Sequence, residues 1–178
     1  MFERFFPDEY VVSTYVIPFE RLYEEGYRGV IFDIDNTLVH HGEDSTKEID
    51  ELFREIQKIG FKTLLLSNNG EERINRFLKN IRSLYISNAQ KPKKSNYLKA
   101  LKMLNLNKNE VVFIGDQIFT DILGANRSGI PNILVKFMYK ENETNFGKRR
   151  QLENVILEFY RRNRKAQNRI GNIIKKGI

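Results

Sequence analysis

The apolar run Gly29-Val30-Ile31-Phe32 stops at Asp33-Ile34-Asp35-Asn36-Thr37, and this junction constrains the fold more than any other stretch of the chain. A short, continuous apolar run reads as a strand buried on both faces, as in a parallel sheet. Two carboxylates at i and i+2 just past its end are costly to bury unless a cation or a reaction uses them. In an open α/β sheet, ligands bind beyond the carboxyl ends of the strands, which is where both would stand. One carboxylate can attack phosphorus there while the other moves the leaving-group proton.

Short apolar runs alternate with helical patterns along the rest of the chain. Strands are expected at 28–32, 61–66, 84–87, 110–114 and 132–135. Between Pro18 and Gly26 lies a short helix. Ser45-Thr46-Lys47-Glu48 reads as a capping box opening a helix with Ile49, Leu52, Phe53, Ile56 and Ile59 on one face, closed by Gly60. Further helices are expected at 70–80 and 93–105, and from Thr120, as a cap, through Ser128. This alternation predicts an α/β, three-layer Rossmann-like fold with a mostly parallel sheet of five main strands. Counted from the strand before Asp33, the expected order is 5-4-1-2-3. A single domain is expected: a lead-in over 1–27, a catalytic core over 28–140, and a basic helical tail over 141–178.

Composition removes several classes. With 40% apolar residues the chain can bury a core, and with no cysteine it has neither a disulfide framework nor a thiolate metal site. No apolar run approaches a membrane span. Met1-Phe2-Glu3-Arg4 does not open like a signal peptide, so a cytoplasmic location is expected, with peripheral membrane attachment left open. The net charge of +7 is uneven: ten basic residues lie between Lys148 and Lys176 against two acidic ones, Glu153 and Glu158. Such a tail attracts anions, whether RNA, ribosome or anionic lipid. It also carries Leu152, Val155, Ile156, Phe159 and Tyr160 at helical spacing, repeated by Ile170, Ile173 and Ile174. Packing of that face on the domain is the favoured outcome.

Three more segments follow strands in order: Ser67-Asn68-Asn69, Lys91-Pro92, and Gly115-Asp116-Gln117 running to Thr120-Asp121. A calcium loop starting at Asp33 fails, because its sixth position is Leu38 and its twelfth is Asp44, where glycine and glutamate are required. A glycosyltransferase D-x-D leaves the later segments unexplained, and a phospho-receiver domain usually carries its acceptor on the third strand. Together the four segments resemble the haloacid dehalogenase (HAD) superfamily of aspartate-nucleophile phosphatases.

That resemblance implies roles. Asp33 is the nucleophile, and Asp35 the general acid that then serves as general base. Mg²⁺ is held by Asp33, the backbone carbonyl of Asp35, and Asp116, with Asp121 binding through water or orienting Lys91. Lys91 neutralises the nucleophile and the charge developing on phosphorus. Thr37, Ser67 and Asn68 hold phosphate oxygens. Plainer readings compete. Ser67 at a helix start is ordinarily a cap, Asp121 suits a helix N-terminus equally well, and Lys91 shares its loop with Lys93 and Lys94. His40 and His41 fall in a flap where family members cover the site.

Only thirty positions separate Thr37 from Ser67, and twenty-two separate Asn69 from Lys91. Neither gap holds a cap domain, so an open site is expected, suited to phosphate on a large or membrane-presented molecule. With the lead-in Phe6-Pro7-Asp8-Glu9-Tyr10, the motifs resemble the YqeG family over most of residues 5–140. These are capless HAD proteins of subclass IIIA, related to phosphatidylglycerophosphate phosphatases. The expectation is a Mg²⁺-dependent phosphomonoester hydrolase. The alternative is a non-enzymatic module that binds RNA, ribosome or membrane through its tail.

Overall fold

Strand burial follows the apolar pattern. Every residue of β2 (Gly29–Phe32) and β5 (Val111–Gly115) is buried, as strands covered on both faces must be. In the computed structural model, which describes residues 3–138, 147–163 and 165–167, these two strands pair in the middle of a parallel sheet. The other strands are β1 (Glu9–Val11), β3 (Lys62–Leu66), β4 (Leu84–Ile86) and β6 (Asn132–Val135). The order is β1-β6-β5-β2-β3-β4. The five expected strands therefore stand in the expected order, while the sheet gains a sixth. The lead-in supplies β1, which pairs with β6 through Tyr10 opposite Leu134.

Side chains leave the central strands alternately, so each face has its own apolar cluster. Val30, Phe32, Leu65, Val112 and Ile114 join α1 (Phe19–Glu24), α2 (Lys47–Ile59) and α3 (Glu71–Phe77). Ile31, Leu64, Leu66 and Phe113 join Tyr97, Leu101 and Ala125 from α4 (Lys94–Leu104) and α5 (Leu123–Ser128). The α2 face is the predicted one, with Ile49, Phe53 and Ile56 buried. Its cap lies one residue beyond the expected Ser45: Thr46 accepts the Ile49 N–H at 3.3 Å, and Gly60 closes the helix at φ 119°.

Two expectations about the later helices change. Thr120 does not cap a helix. It lies within a π-helical turn, Ile118–Ile122, that leads into α5, and its hydroxyl donates to the Gln117 side chain. The tail forms α6 (Lys148–Arg162) and packs on the domain, but only part of the face the spacing suggested turns inward. Ile156, Leu157 and Tyr160 are buried with Phe6, Ile118 and Leu134, whereas Leu152, Val155 and Phe159 stay about half exposed. A buried acid, Glu153, completes the inward face. The expected continuation through Ile170, Ile173 and Ile174 lies outside the described residues.

Candidate active site

Asp33 continues the ladder one residue past β2, its N–H donating to Ile114 O at 2.9 Å. The chain then turns sharply. Ile34 O accepts the Leu38 N–H at 2.9 Å, and Asn36 adopts φ 60°, a left-handed conformation that asparagine tolerates. Thr37 is sealed in, with its carbonyl accepting the Thr14 hydroxyl and its own hydroxyl 3.5 Å from Asp116 Oδ1. The turn thus fixes Asp33 and Asp35 at the carboxyl edge of the sheet.

β3 delivers Ser67 beside them, and the loop after β4 returns Lys91 to the same edge. Backbone bonds from Asn88 and Ala89 to Asn69 O and Ser67 O tie that loop down, and Asn68 Oδ1 accepts the Lys91 N–H at 2.7 Å. Asn68, expected to face phosphate, has its carbonyl oxygen engaged in placing the lysine. The Lys91 ammonium reaches Asp33 Oδ1 at 2.5 Å and Asp121 Oδ1 at 2.7 Å, almost fully buried. Lys93 and Lys94 make no such contact; Lys93 donates to Gln90 at the surface.

The loop after β5 brings in the other carboxylates. Asp121 Oδ2 accepts the Gln117 N–H at 3.0 Å, so the carboxylate pairs with Lys91 through one oxygen and ties down the start of a helical turn through the other. This requires glycine at 115, because a Cβ there would stand 2.6 Å from the Asp121 carboxyl carbon. Behind the turn, the Tyr97 hydroxyl donates to Thr120 O at 2.9 Å. Asp33, Asp116 and Asp121 offer carboxylate oxygens within 4.8 Å of one another, all buried.

Charge in this cluster is unbalanced. Burial pushes the Asp33 carboxyl up, and the Asp121 charge adds to that against the opposing pull of Lys91. Asp116 is pushed up by burial and then by Asp121 and Asp33, with Arg150 opposing. Burial would lower the Lys91 ammonium, but Asp121 and Asp33 outweigh it and hold the proton on. Three carboxylates thus face Lys91 and Arg150, and Arg150 is shared with Glu153. Hard oxygen donors short of positive charge suit a small divalent cation. The Asp35 carboxylate is not among these three.

Asp35 faces the flap instead. It accepts the Gly42 N–H at 3.0 Å, the Asn69 side-chain amide at 2.5 Å, and the Arg73 guanidinium at 3.0 Å. Burial pushes its carboxyl up, but these donors outweigh burial and bring it below its ordinary value. Asn69 also donates to Ser67 Oγ at 3.0 Å, which joins the two motifs. His41, the exposed member of the histidine pair, lies 3.6 Å from Asp35. Arg73 and Arg76 bond to the flap carbonyls of Glu43 and Gly42.

Four contributors were not legible in the sequence as site residues: Asn69, Arg73, Arg150 and Glu153. Asn69 had a signal, since it follows Ser67-Asn68 at a strand end. Arg73 lies one turn into the following helix, on the side facing Asp35. Arg150 and Glu153 come from a basic stretch with no motif.

Comparison with known proteins places the chain in a family. The model of the haloacid dehalogenase-like hydrolases matches residues 43–129. The Probable phosphatase YqeG of Bacillus subtilis (strain 168) is 39% identical over 137 residues, 76% of this chain and 80% of that protein. Among solved structures, an uncharacterized protein from Listeria monocytogenes serotype 4b superimposes with TM-score 0.53 at 21% identity, over 75% of this chain and 99% of that one. The magnesium-bound HAD-hydrolase YfnB from Bacillus subtilis gives TM-score 0.50 at 12% identity, over 73% and 98%. The two structures bear on the fold; membership rests on the sequence relative and the family model. The chain belongs to the haloacid dehalogenase-like hydrolase family, among its YqeG-like phosphatases.

Proposed function

We propose that the protein hydrolyses phosphomonoesters through an aspartyl-phosphate on Asp33, with Mg²⁺ as the working ion. The observation that carries this reading is the buried Lys91 ammonium between Asp33 and Asp121, beside three carboxylates close enough to share one cation. Asp33, Asp116 and Asp121, with the backbone carbonyl of Asp35, would hold the ion, which when bound draws charge from the phosphoryl oxygens.

The chain's own groups do the rest. An Asp33 carboxylate oxygen attacks phosphorus, and the bond to the leaving oxygen breaks. Asp35 gives that oxygen its proton. Water then attacks the phosphorus of the acyl phosphate, Asp35 takes the water's proton, and inorganic phosphate leaves with Asp33 restored. Such proton transfer contributes about 10²–10⁴-fold to the rate. Lys91 neutralises the pentacoordinate charge and Ser67 faces the phosphate oxygens, whereas Thr37, expected beside them, is buried with its hydroxyl turned to Asp116. Asp35, ringed by three donors, suits the second step as it stands. For the first step the flap has to loosen so that Asp35 can carry a proton towards the leaving group.

The short connections around the site support a substrate whose phosphate is presented by something large. Phosphatidylglycerophosphate at a membrane surface is the leading candidate, brought in by the likeness to the YqeG family. No helix among the described residues is long and apolar enough to cross a membrane. The test is turnover of an aryl phosphate with and without Mg²⁺, followed by a panel of phospholipid, sugar, nucleotide and phosphoprotein substrates. Mg²⁺-dependent release of phosphate supports the reaction, and preference for the lipid supports the substrate. An inactive protein in the presence of Mg²⁺, Mn²⁺ and Co²⁺ would contradict the reading.

A further inference from the structure

Arg150 is the one cation other than Lys91 paired with the carboxylate cluster among the described residues, and it comes from α6, outside every motif. Its Nη2 donates to Asp116 Oδ2 at 2.9 Å, and its Nη1 donates to the Asp116 backbone carbonyl at 3.1 Å. Nη1 also lies 2.7 Å from Glu153 Oε2, one turn along the helix. The guanidinium stacks on Phe137, with its carbon 4.1 Å from the ring centroid. Glu153 then turns back to the same loop, its Oε1 accepting the Ile118 N–H at 2.9 Å and the Phe119 N–H at 3.4 Å. The first two turns of α6 therefore grip the β5 loop at four points, two on Asp116 itself and two just after it.

We infer that Arg150 is a positioning residue for the metal-binding carboxylate of Asp116: its planar fork fixes one carboxylate oxygen and the carbonyl together, so that the cation is met by Oδ1, whose other neighbour is the Thr37 hydroxyl at 3.5 Å. This rests on the metal-dependent reading of the site proposed above. The geometry separates it from simple charge compensation. A point charge near Asp116 would offset the cluster's negative charge but would not hold two acceptors in one plane, which is what a guanidinium does and an ammonium does not. The ring of Phe137 and the carboxylate of Glu153 fix the guanidinium in turn, so the carboxylate's orientation is set by packing rather than by a mobile surface side chain. Residues that orient metal ligands in this way are typically worth about 10–100-fold in metal affinity or activity when removed. The inference also gives the tail a task at the site that needs neither RNA nor lipid.

The experiment titrates Mn²⁺ into the full-length protein by electron paramagnetic resonance, for wild type, Arg150→Met and Arg150→Lys, with thermal melts in chelator as the folding control. Wild type binds one Mn²⁺ tightly, and both variants bind roughly tenfold or more weakly. With an aryl phosphate, the variants need more Mg²⁺ for half-maximal rate, excess Mg²⁺ restores much of kcat, and KM for the aryl phosphate at saturating Mg²⁺ stays near wild type. Should Arg150→Met fail to fold, Arg150→Lys decides alone, because it keeps the charge and most of the side-chain bulk. Wild-type Mn²⁺ affinity in both variants, or in the lysine variant alone, overturns the inference; the latter result would assign Arg150 a charge role only. Tighter binding in Arg150→Met also overturns it, since the arginine would then oppose the ion. If wild type itself takes up no Mn²⁺, the metal-dependent reading fails first and carries this inference with it.

Discussion

The Lys91 ammonium lies 2.5 Å from the Asp33 carboxylate, and neither side chain has meaningful contact with solvent. A buried pair of this kind is a weak source of stability but a strong constraint, because losing one partner leaves the other's charge uncompensated. The two halves are not equivalent here. Asp33 is one of three crowded carboxylates, whereas Lys91 serves two of them.

Removing the carboxylate should therefore cost little stability. Asp33→Asn leaves Lys91 paired with Asp121 and relieves repulsion within the cluster, so its melting temperature in chelator should match or exceed that of wild type. Its turnover should vanish in a phosphate-release assay. A large fall in melting temperature would show that Lys91 depends on Asp33 more than on Asp121.

Removing the cation should have the opposite effect. Lys91→Met leaves three buried carboxylates of which Asp116 alone keeps a cation, Arg150, among the described residues. Breaking such a pair typically costs about 3–5 kcal/mol, and loss of the electrostatic role should lower kcat by at least about 10²-fold. Denaturant melts with and without Mg²⁺ check this, and added Mg²⁺ should recover part of the lost stability.

Asn69 joins Asp35 to Ser67, so Asn69→Ala should act on rate rather than on folding. With its amide gone, Asp35 keeps Gly42 and Arg73 but loses its tether to the Ser67 loop. We expect kcat to fall by roughly tenfold or more, since one hydrogen bond to a charged group is worth about 1.5–3 kcal/mol, with the melting temperature nearly unchanged. Steady-state kinetics on an aryl phosphate measure it, and wild-type kcat would show that the contact is incidental.

Tyr97 and Gly124 predict a stability effect away from the carboxylates. A Cβ on Gly124 would stand 2.3 Å from the Tyr97 ring, whose hydroxyl holds Thr120 O beside Asp121. Gly124→Ala should cost about 1–3 kcal/mol through overpacking and lower activity by displacing the Asp121 turn. Combining it with Tyr97→Leu, which vacates the space, should return part of the stability in thermal melts.

The central sheet and the motif residues were legible because their signals are local. Short apolar runs mark β2, β3 and β5, and strand ends place Asp33, Ser67 and Asp116. β1 was not legible: it is three residues long, follows Pro7, and buries Glu9 where an apolar residue would have marked a strand. Thr46 takes the cap expected of Ser45 because both residues suit the position, and the backbone geometry chooses between them. Arg150 meets Asp116 across thirty-four positions, so no local pattern announces it. The buried face of α6 was legible only at Ile156 and Tyr160 for a related reason: an acid, Glu153, occupies an inward position, while Leu152, Val155 and Phe159 point outward. Deleting the tail would remove Arg150 and Glu153 together, so point substitutions at Leu152, Val155 and Phe159 are the cleaner probes of what that exposed stripe does.

The phosphoryl group itself provides the most direct test. Enzyme turning over an aryl phosphate with Mg²⁺ is quenched in acid, digested, and its peptides mapped by mass spectrometry. The account predicts one phosphorylated peptide, with the phosphoryl group on Asp33, and none from Asp33→Asn. Turnover without any phosphorylated peptide, together with activity retained in Asp33→Asn, would contradict it.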